Sequence, residues 1–458
     1  MRIIILGAGQ VGGTLAEHLA GEANEITIVD RDRDRLRQLQ DRLDLRTVCG
    51  SASLPRVLAS AGAEDADMLV AVTSDDEVNM VACQVARTLF NVPLKVARVR
   101  ERNYLTGNGT LFGKDGFGVD ELISPEDLLT DSLAQLLDYP GALQVISFAG
   151  DAVHMVAVRA GFGDGLVGNR IADLRQSVPV ADFRIAAIYR RNRALNPTGE
   201  TIIEAGDEVF IVAAKATMQT LLTGLDALGQ TARTVIIAGG GNVGARLAAR
   251  LEKRLHVKLI EADRHRCEAL SRELPNTIVL HGSVADRDLL TGEGVEGADI
   301  YIAVTQEDKT NIMSCMLAKA LGTRTVISLV SNTAFADLVQ GGSIDIAVSS
   351  RHATMSALLG YVRRGDVVSA HPLRRGTAEA MEVVVHGDQR TSKIVGRALA
   401  RLKLPETARV AAIVRDGKVM IAHDTLVVQD RDSLILFVAD RASAKKVEKL
   451  LQVGFAFI

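Results

Sequence analysis

The stretches Gly7-Ala-Gly-Gln-Val-Gly12 and Gly239-Gly-Gly-Asn-Val-Gly244 decide the fold of this chain of 458 residues. Each glycine fingerprint follows a run of aliphatic residues and opens a helix-like stretch. A GxGxxG motif is informative in this strand-then-helix setting, where it is typical of a dinucleotide-binding fold. The two copies stand 232 residues apart, so the chain is predicted to contain one domain twice.

The duplication extends beyond the glycines. Segments 66–83 and 298–315 match at the same offset and both end in a cysteine. In the first copy, strand-length apolar runs alternate with amphipathic stretches of period 3.6, which predicts a doubly wound parallel sheet. These runs are 3–6, 26–29, 46–49, 68–72, 94–99 and 119–123.

Two further regions are rich in short β patterns and resemble each other. We therefore predict an α/β fold of four domains. Two doubly wound parallel-sheet (Rossmann) domains, 1–123 and 232–350, are each followed by a small α+β domain, 140–228 and 370–455. The connecting segment 124–137 carries a leucine stripe, which either packs on its own sheet or crosses to another subunit.

Composition excludes several classes of function. The net charge is −3, 3% of the residues are aromatic and tryptophan is absent, so no nucleic-acid face is indicated. No apolar run reaches the ~18 residues of a membrane span, and no signal peptide is recognised. We expect a cytoplasmic protein without a metal site. Its four cysteines, without CxxC spacing, are expected to be buried thiols: Cys49, Cys83, Cys267 and Cys315.

Each copy places an acid at the end of its second strand. Asp30 stands 23 residues after Gly7, and Glu261 stands 22 residues after Gly239. An acid at this point accepts hydrogen bonds from an adenosine ribose. Because a carboxylate also repels a 2′-phosphate, NAD(H) is favoured over NADP(H). The alternating Arg/Asp run 31–35 either opposes this preference or forms a solvated helix face.

Polar residues follow the fourth strand of each copy. Thr73 and Ser74 follow it in the first copy, and Thr305 follows it in the second. Strands one and four flank the crevice where the strand order reverses, so side chains at their carboxyl ends reach a ligand. The acidic run 75–77 either joins the site or charges the first turn of the next helix.

The fifth strands differ between the copies. The first ends in Lys95-Val-Ala-Arg98, whereas the second ends in Thr325-Val-Ile-Ser328. An arginine in the crevice clamps phosphate oxygens by charge-assisted hydrogen bonds. Ser328, aligned here with Arg98, has no charge. We expect polyphosphates to bind the first site more tightly than the second.

The order of the four domains resembles the regulatory subunits of Trk-type potassium uptake systems, whose nucleotide-binding modules are called RCK or KTN domains. The resemblance covers nearly the entire chain. It implies a peripheral subunit on the cytoplasmic face of the inner membrane that assembles as a tetramer ring. Such a subunit gates a membrane potassium-translocating subunit and binds NAD(H) and ATP or ADP. The implied nucleotide contacts are Gly7, Ala8, Gly9, Gln10, Val11, Gly12, Asp30, Thr73, Ser74, Arg98, Gly239, Gly240, Gly241, Asn242, Val243, Gly244, Glu261 and Thr305.

An NAD-dependent oxidoreductase is the alternative function, because the same fold hosts hydride transfer. Such an enzyme needs an acid or a base beside the nicotinamide. Histidines such as His154 and His256 are scattered without a recurring partner, and little sequence between the fingerprints is left for a substrate domain. We expect binding without turnover and assign no catalytic residue.

Overall fold

In the computed structural model, the described residues are 1–20, 24–105, 110–112, 116–178, 182–191, 193–229, 231–332, 335–336, 342–362, 367–373 and 377–451. They form two compact units. The first contains the described parts of Met1–Leu128 and Ser350–Leu358, and the second those of Leu129–Ser349 and Leu359–Ile458.

The first unit contains a six-stranded parallel sheet. Its strands are β1 (Arg2–Leu6), β2 (Glu25–Asp30), β3 (Arg46–Cys49), β4 (Met68–Ala71), β5 (Leu94–Arg98) and β6 (Glu121–Ile123), and its helices are α1 (Gln10–Ala20), α2 (Arg33–Gln40), α3 (Pro55–Ser60), α4 (Asp76–Phe90) and α5 (Arg102–Leu105). The strand order is β3-β2-β1-β4-β5-β6, which reverses between β1 and β4. Ile3 to Leu6 of β1 are buried, as expected of a central parallel strand.

A connecting helix and a five-stranded antiparallel sheet follow in the chain. These elements are α6 (Pro125–Asp138), β7 (Ala142–Phe148), β8 (Val153–Arg159), α7 (Ile171–Ser177), β9 (Phe183–Arg190), β10 (Arg193–Leu195), β11 (Glu208–Ala214) and α8 (Lys215–Gly224). The strand order is β10-β9-β11-β8-β7. This first small domain has the α+β architecture that was predicted.

The second copy repeats the parallel sheet in the order β14-β13-β12-β15-β16-β17. Its elements are β12 (Thr234–Ala238), α9 (Asn242–Leu251), β13 (His256–Glu261), α10 (Arg264–Glu273), β14 (Thr277–His281), α11 (Arg287–Gly292), β15 (Ile300–Ala303), α12 (Asp308–Leu321), β16 (Thr325–Leu329) and β17 (Ile346–Val348). The prediction of two doubly wound parallel sheets is confirmed.

The second small domain closes the described chain with the strand order β18-β19-β22-β20-β21. Its elements, after the helix α13 (Ser350–Val362), are β18 (Val367–Leu373), β19 (Ala378–Val384), β20 (Ala408–Arg415), β21 (Lys418–Ile421), β22 (Ser433–Val438) and α14 (Arg441–Leu451). Among the helices that the structure describes, none combines the length and hydrophobicity that a membrane crossing requires.

The two small domains share one buried core, in which aromatic side chains of both sheets meet. Phe210 of β11 and Phe437 of β22 lie 6.0 Å apart between ring centroids. Two arginines at equivalent strand positions cross this interface reciprocally. Arg184 of β9 donates to the carbonyl that follows β21, and Arg409 of β20 donates to the carbonyl of Pro197, which follows β10. The two small domains are therefore related by a pseudo-twofold axis within one chain.

The leucine stripe of α6 packs on the second copy rather than on the sheet that precedes it in sequence. Its buried leucines share a core with Leu247 and Leu251 of α9. Arg250 forms an ion pair with Asp131 of α6. The own-sheet alternative is therefore wrong for the part of the helix from Leu129 onward. The stripe comprises Leu129, Leu133, Leu136 and Leu137, and Leu128 precedes it.

The expectation of four buried thiols is wrong for one cysteine. Cys83, Cys267 and Cys315 are buried, but Cys49 is exposed at the end of β3. Burial raises the pKa of the Cys83 thiol to about 12, which keeps it protonated at neutral pH. Its sulfur lies 4.0 Å from the carbonyl of Val96, so this cysteine belongs to the packing between α4 and β5.

Candidate nucleotide-binding sites

The first and last glycines of each fingerprint are required by the backbone. Gly7 and Gly239 adopt φ values of +104° and +112°, a region that favours glycine. A Cβ on Gly12 would lie 1.9 Å from the carbonyl oxygen of Gly7, and one on Gly244 would lie 1.8 Å from that of Gly239. The start of each helix is therefore pressed against the turn that leaves the first strand.

The middle glycines line open space instead. A Cβ on Gly9 or Gly241 would meet no described atom within 4 Å. The first helical hydrogen bonds run from Gly13 N to Gly9 O and from Ala245 N to Gly241 O, at 2.8 and 2.9 Å. The amides of the first turn, which includes Gln10, Val11, Asn242 and Val243, thus lie at the open end of α1 or α9. Helix N-termini of this kind attract phosphate through unpaired amides and the helix dipole.

Each strand-ending acid holds the amide of the second fingerprint residue. Asp30 Oδ2 accepts a 2.6 Å hydrogen bond from Ala8 N, and Glu261 Oε2 accepts a 2.8 Å bond from Gly240 N. The second oxygen of each carboxylate accepts from the amide two residues further on. The predicted acids therefore lie beside the predicted phosphate loops, with one carboxylate at each.

The residue types at these two positions compensate each other. A Cβ on Gly240 would lie 3.0 Å from Glu261 Oε2 and 2.6 Å from a methyl carbon of Leu270. The longer glutamate thus occurs with glycine, whereas the shorter Asp30 occurs with Ala8. The matched change of both residues between the two copies was the signal in the sequence for this compensation.

Buried asparagines hold the threonines that follow the fourth strands. Thr73 donates to Asn79 Oδ1 from its amide at 2.9 Å and from its hydroxyl at 2.7 Å. Thr305 makes the same pair of bonds to Asn311, at 2.8 and 2.7 Å. Each asparagine also donates to a carbonyl at the end of the fifth strand. Both asparagines recur in the repeat, but no role was assigned to them from sequence.

The alignment of Ser328 with Arg98 is wrong by one residue. Ala71 of β4 pairs with Ala97, whereas the equivalent Ala303 of β15 pairs with Ser328. The residue equivalent to Arg98 is therefore Leu329. The cause is that Lys95 was aligned with Thr325, whereas the strand register makes Leu94 the equivalent of Thr325. The second site still has no cation on this strand.

Arg98 lies half-buried at the end of β5 and braces the loop after β4. Its terminal amino group donates to the carbonyl of Thr73. Its Nε is buried and has no hydrogen-bond partner among the described residues. Burial, and then the neighbouring charge of Arg100, lower the pKa of the Arg98 guanidinium. Arg100 in turn donates to the carbonyl of Ser74. The Nε of Arg98 is thus a buried donor that no described residue satisfies.

One residue of the acidic run after β4 binds backbone amides. Asp76 and Glu77 lie in the first turn of α4. Asp76 Oδ2 accepts from the amides of Arg100 and Glu101 at 2.7 and 2.8 Å. Asp76 is therefore occupied in joining α4 to the loop after β5.

Two family models match most of the chain. The TrkA-N domain matches residues 3–125 and 235–350. The TrkA-C domain matches residues 155–223 and 389–452. Each model thus matches twice, in the alternating order in which the parallel and antiparallel sheets follow one another.

Characterised relatives and solved structures agree with these matches. The chain is 53% identical over 457 residues to the Trk system potassium uptake protein TrkA of Halomonas elongata and 54% identical over 458 residues to that of Vibrio alginolyticus, with all of both chains covered in each comparison. In fold, it is similar to the GsuK RCK domain (TM-score 0.60, 19% identity, 98% of this chain and 94% of that chain). It is also similar to the GsuK channel bound to NAD (TM-score 0.61, 18% identity, 98% and 78%). The chain belongs to the TrkA family of Trk system potassium uptake proteins.

Proposed function

We propose that this chain is a regulatory subunit that gates a membrane potassium-translocating subunit of Trk type by binding nucleotides. Its family is named for potassium uptake. The nucleotides are sensed rather than converted, so no residue receives a catalytic role. The observation that carries the proposal is the pair of loops in which Asp30 and Glu261 hold the second fingerprint residue beside an open helix N-terminus.

The proposed ligands are NAD(H) and ATP or ADP. An adenosine ribose fits beside Asp30 or Glu261, because a carboxylate there accepts hydrogen bonds from the ribose hydroxyls. The phosphates fit over Gly9 or Gly241, where a side chain would find open space. GsuK, whose fold this chain shares, has been solved with NAD bound, and this makes NAD the first ligand to test.

The two sites are proposed to differ in their affinity for polyphosphates. Arg98, at the end of β5, offers the first site a half-buried guanidinium. Leu329 occupies the equivalent position of the second site and offers no charge. A charge-assisted hydrogen bond contributes about 1.5 to 3 kcal/mol, so ATP should favour the first site.

Gating requires only a small free-energy contribution from each nucleotide site if the contributions are summed over a ring of subunits. We propose a homotetramer at the cytoplasmic face of the inner membrane, which presents eight sites. Moving an equilibrium from 1:99 to 99:1 takes about 5.5 kcal/mol. Each site then contributes about 0.7 kcal/mol, which corresponds to a threefold preference for one state.

Potassium flux into vesicles that contain a Trk-type membrane subunit and this chain tests the proposal. We expect flux to differ between ATP and ADP and between NADH and NAD⁺. The double variant Gly9→Val with Gly241→Val should abolish this response, because each new side chain occupies the proposed phosphate position and its Cβ meets open space. Equal flux with all four nucleotides would overturn the proposal. Steady consumption of NADH with added substrates would favour the oxidoreductase alternative instead.

A further inference from the structure

Arg266, in the first turn of α10, contacts the glycine loop of the second copy. Its Nε donates a 3.1 Å hydrogen bond to the carbonyl oxygen of Gly240. The amide of Gly240 donates at 2.8 Å to Glu261. Side chains of opposite charge therefore hold both backbone polar atoms of Gly240. The carbonyl that Arg266 holds belongs to the peptide unit whose amide is that of Gly241.

The first copy uses the equivalent arginine differently. Asp263 is the N-cap of α10 and precedes Arg266 by three residues, just as Asp32 is the N-cap of α2 and precedes Arg35. Arg35 pairs with its own cap, with 3.3 Å between Nε and Asp32 Oδ2, and its side chain is 58% exposed. The same residue type thus lies on the surface in the first copy and against the phosphate loop in the second.

Arg266 keeps donors available beside this loop. The residue is partly buried, and its terminal amino groups make no hydrogen bond or ion pair with any residue that the structure describes. A partly desolvated guanidinium with unused donors is well suited to phosphate recognition. The second site has this cation on α10, whereas the first site has Arg98 on β5.

We infer that Arg266 is the phosphate-binding cation of the second site, where it binds the phosphate nearest the adenosine. The inference rests on the proposed function, because it requires a nucleotide at this site. The location follows from the fold. Helix α10 follows β13, and Glu261 at the end of β13 is the proposed ribose contact, so Arg266 lies on the adenosine side of the crevice. Arg98 of the first copy lies at the end of β5, on the opposite side of the crevice. The second site therefore recognises the ADP moiety shared by NADH, ADP and ATP. The first site distinguishes ATP from ADP.

Calorimetric titration of the full-length Gly9→Val chain with NADH, ADP and ATP isolates the second site. Arg266→Gln in this background should lower the affinity for each of the three ligands about tenfold, which corresponds to the loss of one charge-assisted contact. The ratio of ATP to ADP affinity should stay unchanged. Arg35→Gln, the matched variant of the first copy, should have no effect. Arg266→Lys keeps the charge and should recover part of the loss.

The outcomes separate this inference from the proposed function. If Arg266→Gln binds the three ligands as tightly as the Gly9→Val chain does, the inference is overturned and nucleotide sensing is left intact. A Lys variant as weak as the Gln variant would assign the effect to loop packing and overturn the role of charge. A changed ratio of ATP to ADP affinity would overturn the placement beside the adenosine. A Gly9→Val parent that binds none of the three ligands would overturn both the inference and the proposed second site.

Discussion

Arg254, in the turn after α9, donates a hydrogen bond to Asp138, the last residue of α6. A second ion pair joins Arg250 of α9 to Asp131 of α6. The helix that begins at the second glycine fingerprint is therefore the one on which the connecting helix packs. The contact between α6 and α9 therefore combines a shared apolar core with two ion pairs.

The leucines of α6, rather than its ion pairs, should stabilise this contact. Leu133 is fully buried, so Leu133→Ala should lower the free energy of unfolding by about 2 to 5 kcal/mol. Arg250→Ala should cost less than about 1 kcal/mol, because both partners of its ion pair are about half-exposed. Denaturant unfolding followed by circular dichroism compares the two variants. Equal losses would contradict this ranking.

The glycines of one fingerprint should respond differently to the same substitution. Gly244→Ala puts a methyl carbon 1.8 Å from the oxygen of Gly239, so it should destabilise the domain by about 1 to 3 kcal/mol and abolish nucleotide binding. The methyl group of Gly241→Ala meets open space. This variant should change the free energy of unfolding by less than about 1 kcal/mol and should lower the affinity for the nucleotide. Thermal unfolding and NADH titration measure both effects. Similar destabilisation by the two variants would refute the assignment.

The second fingerprint residue and the strand-ending acid should be coupled. Gly240→Ala alone crowds Glu261 and Leu270, and Glu261→Asp alone shortens the reach of the carboxylate to the Gly240 amide. The double variant reproduces the Ala8 and Asp30 pair of the first copy and should recover part of the loss. A double-mutant cycle on unfolding free energies should therefore give a favourable coupling of about 0.5 to 3 kcal/mol. Purely additive losses would argue against compensation.

The shared core of the small domains should weaken in mild acid. His371 lies 5.2 Å from Phe148 between ring centroids, and burial lowers the pKa of its imidazole to about 4. A histidine with a lowered folded-state pKa stabilises the protein above its unfolded value near 6.5 and loses this contribution as pH falls towards 4. His371→Leu should flatten the fall in unfolding midpoint over this range. An unchanged pH profile would contradict the prediction.

Much of the fold was predictable because the repeat supplied two examples of each signal. The fingerprint, the acid and the threonine of each copy lie at the same sheet edge because all follow the carboxyl ends of parallel strands. The position of Leu329 was missed because Lys95-Val was aligned with Thr325-Val. The register with the fourth strand pairs Leu94 with Met68 and Thr325 with Ile300, and a local sequence pattern does not contain that register.

Two other features were beyond local sequence patterns. The leucine stripe of α6 requires burial, but it carries no information about which domain covers it. Arg266 and Arg35 occupy equivalent positions after an N-cap, and only the tertiary setting directs one to the glycine loop and the other to its own cap. Such choices between competing partners depend on packing that a single sequence does not encode locally.

The reciprocal hydrogen bonds of Arg184 and Arg409 have a consequence for assembly. Because both small domains lie in one polypeptide, their pairing is intramolecular, with an effective concentration set by the intervening chain rather than by the amount of protein in solution. Dilution that would separate two single-copy chains should leave this pair associated. Gene duplication has thus made one interface concentration-independent and allowed its two halves to diverge separately.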